Sequence, residues 1–391
     1  MKKVCMVLNG GVAGDARVKR LIKTISKDHF LDLFYIDGLK NDADFFNDNV
    51  ELYPQLKRNS LKSKLQRHSF FYNEFNYLAD AAIRSGKQYD IVYANDLPTL
   101  TACSKIAKEY QAKLIYDSHE IYTETINQFF NSTNAFKSLM FKNVIGFMRG
   151  VGTSQERKLL KDVDRFITVN SSLAEYFQNK YGFRKVNVVM NCPETNSNKE
   201  AVDFRTKYNF LKSDVILYYH GMINNGRGLP LMIETMAHLD DCFKLIIVGE
   251  GPLLSDLKKQ AASLNIGDRI VFHGSVPSEM LVNTASEADV GINLLEDLNL
   301  SKSMASPNKL FEYIQAGIPV LCSDTLENKK VLDHFKIGVS TKNDVRSILS
   351  AINKILELNQ IGAFSESIQN ARNEFNWNKQ EKILQQLFEE L

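Results

Sequence analysis

Short apolar blocks alternate with longer amphipathic stretches along the whole chain. Lys3–Leu8 is an apolar run of strand length, residues 9–15 form a glycine-rich turn, and 16–26 have apolar positions at helical spacing. Residues 30–36, 90–95, 113–117, 165–170 and 185–190 repeat the strand pattern, with helical pattern between them. Strands that alternate with helices predict a parallel, doubly wound α/β sheet, with ligands gathered at the carboxyl ends of the strands. Residues 191–198 are polar with one Pro and read as a linker. The pattern then restarts at 214–220 and continues through 243–248, 269–276, 289–295 and 318–322. Residues 327–334, 344–358 and 361–375 have helical spacing, and the last segment holds the only tryptophan, Trp377.

Composition narrows the picture only a little. A length of 391 residues suits two or three domains with ample core. The net charge of +2 argues against nucleic acid as a partner. The five cysteines are scattered, without zinc or disulfide spacing, so no metal and a reducing compartment are expected. The first residues read as a strand and not as a signal peptide, and no apolar run is long enough to span a bilayer. The expected location is cytoplasmic.

The most informative stretch is 301–320. Ser306 is a good N-cap, and Pro307 suits the first helical position, where no N–H is needed. The N–H groups of Asn308 and Lys309 then stand at a helix end that favours anions. Glu312 lies about one turn further on, where a carboxylate beside a phosphate makes sense if it accepts hydroxyls such as those of a ribose. The helix ends at Gly317. A capped helix that binds nothing accounts for the same pattern.

Three other loops follow strands. Gly10 and Gly11 let backbone approach a ligand, or simply make the strand–helix turn tight. His119 lies just past a strand end, a position that favours a functional role over a structural one. The loop from Gly221 to Gly228 carries Arg227, whose guanidinium suits bidentate phosphate contact. The turn Gly249-Glu250-Gly251-Pro252 serves a ligand or is a plain turn.

The run Pro307-Asn-Lys-Leu-Phe-Glu-Tyr313 followed by Ala316-Gly-Ile-Pro-Val320 resembles the donor-site signature of glycosyltransferase family 4. The resemblance is strong in the second half of the chain and loose in the first. It implies the GT-B fold: two Rossmann-like domains facing a central cleft. Residues 1–192 would bind the acceptor, completed by the final helix 377–391, and 193–376 would bind the nucleotide-sugar. It implies that Arg227 grips the donor diphosphate and that Ser306, Pro307, Asn308, Lys309, Leu310 and Glu312 bind the donor. Backbone at Val276 would hold the base, with Gly10, Gly11 and Gly221 at the donor. His119 would contact the transferred sugar or the leaving-group region, and Asp15 and Arg17 would line the acceptor side. His119, Arg227 and Glu312 are the expected catalytic residues. The chain departs from the pattern at Met222, where many members carry Arg, and at Met304, where many carry a first Glu.

The implied chemistry is transfer of a sugar from a UDP- or GDP-linked donor to a glycan or lipid-linked acceptor, with retention. The donor is a substrate, so no cofactor is expected. In such a front-face displacement the diphosphate helps deprotonate the acceptor, and the protein positions groups and stabilises charge. An epimerase of the same fold and a catalytically silent nucleotide-sugar-binding subunit remain open. Residues 56–72 and 136–149 interleave Lys57, Arg58, Lys62, Lys64, Arg67, Lys137, Lys142 and Arg149 with apolar side chains. Such stretches are solvated helix faces, or they lie on an anionic membrane surface, here the inner face of the cell membrane.

Overall fold

The computed structural model describes the chain apart from residues 40–41, 59–72, 130–134, 196–200, 297–299 and 307. The chain divides into two compact units, Met1–Met190 with Glu381–Leu391, and Asn191–Gln380. The breaks expected at 192/193 and 376/377 thus fall at 190/191 and 380/381.

The first unit is built on a seven-stranded parallel sheet in the order β3-β2-β1-β4-β5-β6-β7. Its strands are β1 Lys3–Leu8, β2 Phe30–Ile36, β3 Val50–Gln55, β4 Ile91–Asn95, β5 Lys113–Ser118, β6 Arg165–Thr168 and β7 Val186–Val188. Strands β1, β4 and β5 are apolar on both faces because helices cover both faces. The strand order reverses direction between β1 and β4, the place where doubly wound sheets open a crevice. Strand β3 was not anticipated. It carries Pro54, which lacks an N–H and is tolerated because β3 is an edge strand. The final helix, Trp377–Glu389, brings Leu384, Leu387 and Phe388 into the core of this unit. Lys2 Nζ donates to the Phe388 carbonyl at 2.9 Å.

The second unit has a six-stranded parallel sheet in the order β10-β9-β8-β11-β12-β13. Its strands are β8 Val215–His220, β9 Phe243–Val248, β10 Ile270–Gly274, β11 Val290–Asn293, β12 Val320–Ser323 and β13 Gly338–Thr341. Here the order reverses between β8 and β11. The short edge strand β13 also escaped the sequence pattern, because four residues Gly-Val-Ser-Thr show no alternation. The helices expected near 327–334, 344–358 and 361–375 are Leu326–Phe335, Val345–Gln360 and Ser365–Glu374.

Part of the basic surface has local partners. Lys57 lies 3.8 Å from Asp37, Arg58 stacks on the Tyr77 ring at 4.6 Å, and Arg149 pairs with Glu124 at 2.7 Å. Lys62, Lys64, Arg67 and the side chains of Lys137 and Lys142 lie outside the described residues. Among the described residues no helix is long and apolar enough to cross a membrane.

Candidate functional site

Three loops interlock at the carboxyl ends of β8, β9 and β10. Gly221 N donates to Val248 O at 2.9 Å, Ile223 N to Glu250 O at 2.9 Å, and Gly249 N to Gly274 O at 2.8 Å. The approach is closest at Gly249, which has φ +136° and where an added Cβ would stand 2.0 Å from the Gly221 carbonyl oxygen. Gly249→Ala therefore meets both a forbidden backbone region and backbone it cannot displace. It is expected to destabilise the unit by about 3 kcal/mol, read as a lower denaturant midpoint, and to weaken ligand binding at this end of the sheet. A variant with wild-type midpoint would show that these loops are not locked together.

The helix Asn308–Ala316 stands beside this end. Leu310, Phe311, Tyr313 and Ile314 form its buried face. Tyr313 anchors it by donating to Tyr218 O at 3.3 Å and Ile292 O at 3.2 Å. Gly291 on β11 makes room, since a Cβ there would meet the Tyr313 ring at 2.5 Å.

Lys309, in the first turn, is only 6% exposed. Its Nζ lies 3.7 Å from the centre of the Tyr219 ring and has no hydrogen-bond partner among the described residues. Burial first, and then the charge of Arg227, hold its pKa well below the usual lysine range. Arg227 itself is half-buried and, among the described residues, makes a long contact from Nε to Asn224 Oδ1 at 3.4 Å. Lys309 and Arg227 thus lie near enough at a helix N-terminus for the charge of Arg227 to act on Lys309.

Glu312 does not stand alone. Its Oε2 accepts a bond from Nε2 of the buried His220 at 2.6 Å, across to the last residue of β8. Ser306 Oγ donates to Glu327 Oε2 at 3.4 Å, and Pro307 lies outside the described residues. The Leu310 side chain belongs to the core, so only its backbone is free to meet a ligand. Val276 is half-buried in the loop after β10, Gly221 is exposed with φ +125°, and Met222 is exposed.

In the first unit, Gly10 and Gly11 lie in the loop after β1. Asp15 caps the next helix, its Oδ1 accepting from Val18 N at 3.0 Å. Arg17 is buried and forks onto Asp117 at 2.9 and 3.0 Å. Asp15 thus serves as a helix cap and Arg17 as one half of a buried ion pair. His119 follows β5, with its side chain 21% exposed and its ring between Asp96 and Asp117.

Residues 202–375 match the family model "Glycosyl transferases group 1". The match lies within the second unit and covers less than half of the chain. Among curated relatives, the chain is 23% identical over 309 residues to the chitobiosyldiphosphodolichol beta-mannosyltransferase of Debaryomyces hansenii, covering 68% of this chain and 61% of that protein. It is 24% identical over 243 residues to the alpha-monoglucosyldiacylglycerol synthase of Streptococcus pneumoniae, covering 56% of this chain and 52% of that protein. The chain thus spans less than two thirds of either curated relative. Its fold is similar to that of Anabaena HepE in complex with UDP and glucose, with a TM-score of 0.74, 15% identity and 100% of both chains covered. The two parallel-sheet Rossmann-like units are those of the GT-B fold.

Sequence reasoning missed several residues that stand at these strand ends. His220 and Tyr219 end an apolar strand and read as its last core positions. Asp96 and Asp117 carry no motif of their own. The available signal was position, since all four lie at or just after the carboxyl end of a strand, where doubly wound sheets bind ligands.

Proposed function

We propose that the chain is a retaining glycosyltransferase that moves a sugar from a UDP- or GDP-linked donor to a glycan or lipid-linked acceptor. The observation that carries this reading is Lys309, a buried lysine beside Arg227 whose Nζ has no hydrogen-bond partner among the described residues. A diphosphate would supply the missing acceptors. In a site of low dielectric, these cations stabilise the charge that builds on the leaving diphosphate. The second unit binds the donor and the first carries the acceptor. The names of both curated relatives contain a lipid, dolichol in one and diacylglycerol in the other, which supports a lipid-linked acceptor.

Incubation with UDP- and GDP-sugars, with and without lipid acceptor extract, tests the reading. Acceptor-dependent transfer is expected. Conversion of the donor without acceptor would indicate an epimerase, and binding alone a silent subunit. If no nucleotide-sugar raised the melting temperature or was consumed, the donor site would be wrong.

Glu312 accepts ribose hydroxyls through the carboxylate that His220 orients. Glu312→Gln is expected to weaken nucleoside diphosphate binding about tenfold or more while leaving pyrophosphate binding nearly unchanged, by titration calorimetry. Equal losses for both ligands would remove Glu312 from the ribose. The work is placed in the cytoplasm, with attachment to anionic lipid through the basic residues of 56–72 and 136–149. Sedimentation with anionic vesicles should fall as salt rises. An absence of binding at low salt would leave the acceptor in solution.

A further inference from the structure

The His119 ring stands between two carboxylates, and its Nε2 makes no hydrogen bond among the described residues. Its Nδ1 lies 3.1 Å from Asp96 Oδ2, and its Nε2 lies 3.2 Å from Asp117 Oδ2. A neutral imidazole has one N–H, so one of its nitrogens would turn a lone pair toward a carboxylate oxygen. A doubly protonated ring turns no lone pair toward either carboxylate and sets its positive charge beside both.

Both carboxylates are fixed independently of the ring. Asp96 begins the helix Asp96–Tyr110 directly after β4 and has φ +61°, a left-handed conformation that costs a non-glycine residue about 1–3 kcal/mol. Its Oδ1 also accepts from the His119 backbone N–H at 2.9 Å, so one side chain holds both ring and main chain. Asp117 is buried and accepts two bonds from Arg17 and one from Tyr93 Oη at 2.8 Å. The groups around the ring are thus Asp96, Asp117 on β5, and behind Asp117, Arg17 and Tyr93; Glu120 follows in the chain.

We propose that Asp96 is a positioning residue that locks His119 as an imidazolium, so that His119 serves as a fixed positive charge and not as a proton acceptor. Its consequence for sugar transfer rests on the transferase reading above; the charge of the ring does not. Deprotonation of the acceptor then falls to another group. Burial opposes the charged ring, but Asp96 and then Asp117 outweigh it and raise its pKa to about 10. A raised histidine contributes stability that is complete below about pH 6.5 and is lost as pH rises through about 10.

Nitrogen-15 NMR of the imidazole in the full chain reads this directly, with His119→Gln assigning the signal. Asp96→Asn keeps an acceptor for the backbone N–H but turns an amide donor toward Nδ1, which favours the neutral ring. Asp96→Gly removes the carboxylate while suiting the positive φ, and serves if the Asn variant does not fold. The wild-type ring is expected to stay doubly protonated past about pH 9, and either variant to titrate about 2 units lower or more. The alkaline limb of kcat/KM for a nucleotide-sugar should move down with it, which a merely structural role would not produce. A wild-type ring that is neutral at about pH 7.5, or variants that titrate like the wild type, overturn the proposal. If no nucleotide-sugar is turned over at any pH, the transferase reading falls and the ring titration still decides the lock.

Discussion

Lys309→Met is expected to raise the melting temperature and to lose donor binding in the same protein. Among the described residues the Lys309 amine is buried without a hydrogen-bond partner, and when it is charged the cation–π contact with Tyr219 offsets only part of its desolvation. Methionine keeps the length and removes the charge. A gain of about 1–2 kcal/mol is expected, and at this size about 1 kcal/mol shifts the midpoint by about 2–4 °C. Loss of a charge-assisted bond to phosphate should weaken nucleoside diphosphate binding roughly ten- to hundredfold. The pH dependence has a definite sign. The folded pKa of Lys309 is depressed, so the unfolded chain binds more protons between that pKa and about 10.5. Wild-type stability therefore rises with pH across that window, and the variant lacks this rise. A variant less stable than wild type, with donor affinity unchanged, would show that Lys309 is a packing residue.

Arg227 is expected to matter most for turnover. Arg227→Ala should lower kcat about 100- to 1000-fold, the usual cost of removing one preorganised donor from developing charge. Arg227→Lys should recover part of it, because the charge returns without the bidentate fork. Among the described residues Arg227 makes one long contact, so the fold should survive either change. Wild-type kcat in both variants would refute the phosphate assignment. A rise in KM with kcat unchanged would mean that Arg227 binds ground state and transition state alike.

The order of strands and helices was readable because burial imposes a period on each element. Strands β1, β2, β4, β5, β8 and β9 lie where apolar runs of strand length predict them. Edge strands β3 and β13 were not readable. A strand paired on one side only tolerates Pro54, or needs only four residues, and so loses the apolar signature. The helix Asn308–Ala316 and its end at Gly317 were also local, since propensity and capping act within a turn.

The partners of the charges were not local. Sequence alone determined that Arg227, Lys309, Glu312 and His119 would stand at strand and helix ends in a doubly wound α/β chain. Tertiary structure decided that Lys309 is a buried lysine whose Nζ has no hydrogen-bond partner among the described residues, while Glu312 is tied to His220, 92 residues away. It also decided that Arg17 turns inward to Asp117 and that Asp96 bends to hold His119. The physical reason is range. Periodicity reports which face of an element is dry, whereas hydrogen bonds and ion pairs form only within a few ångströms. Such distances are set by the packing of side chains from separate strands, which no spacing along the chain encodes.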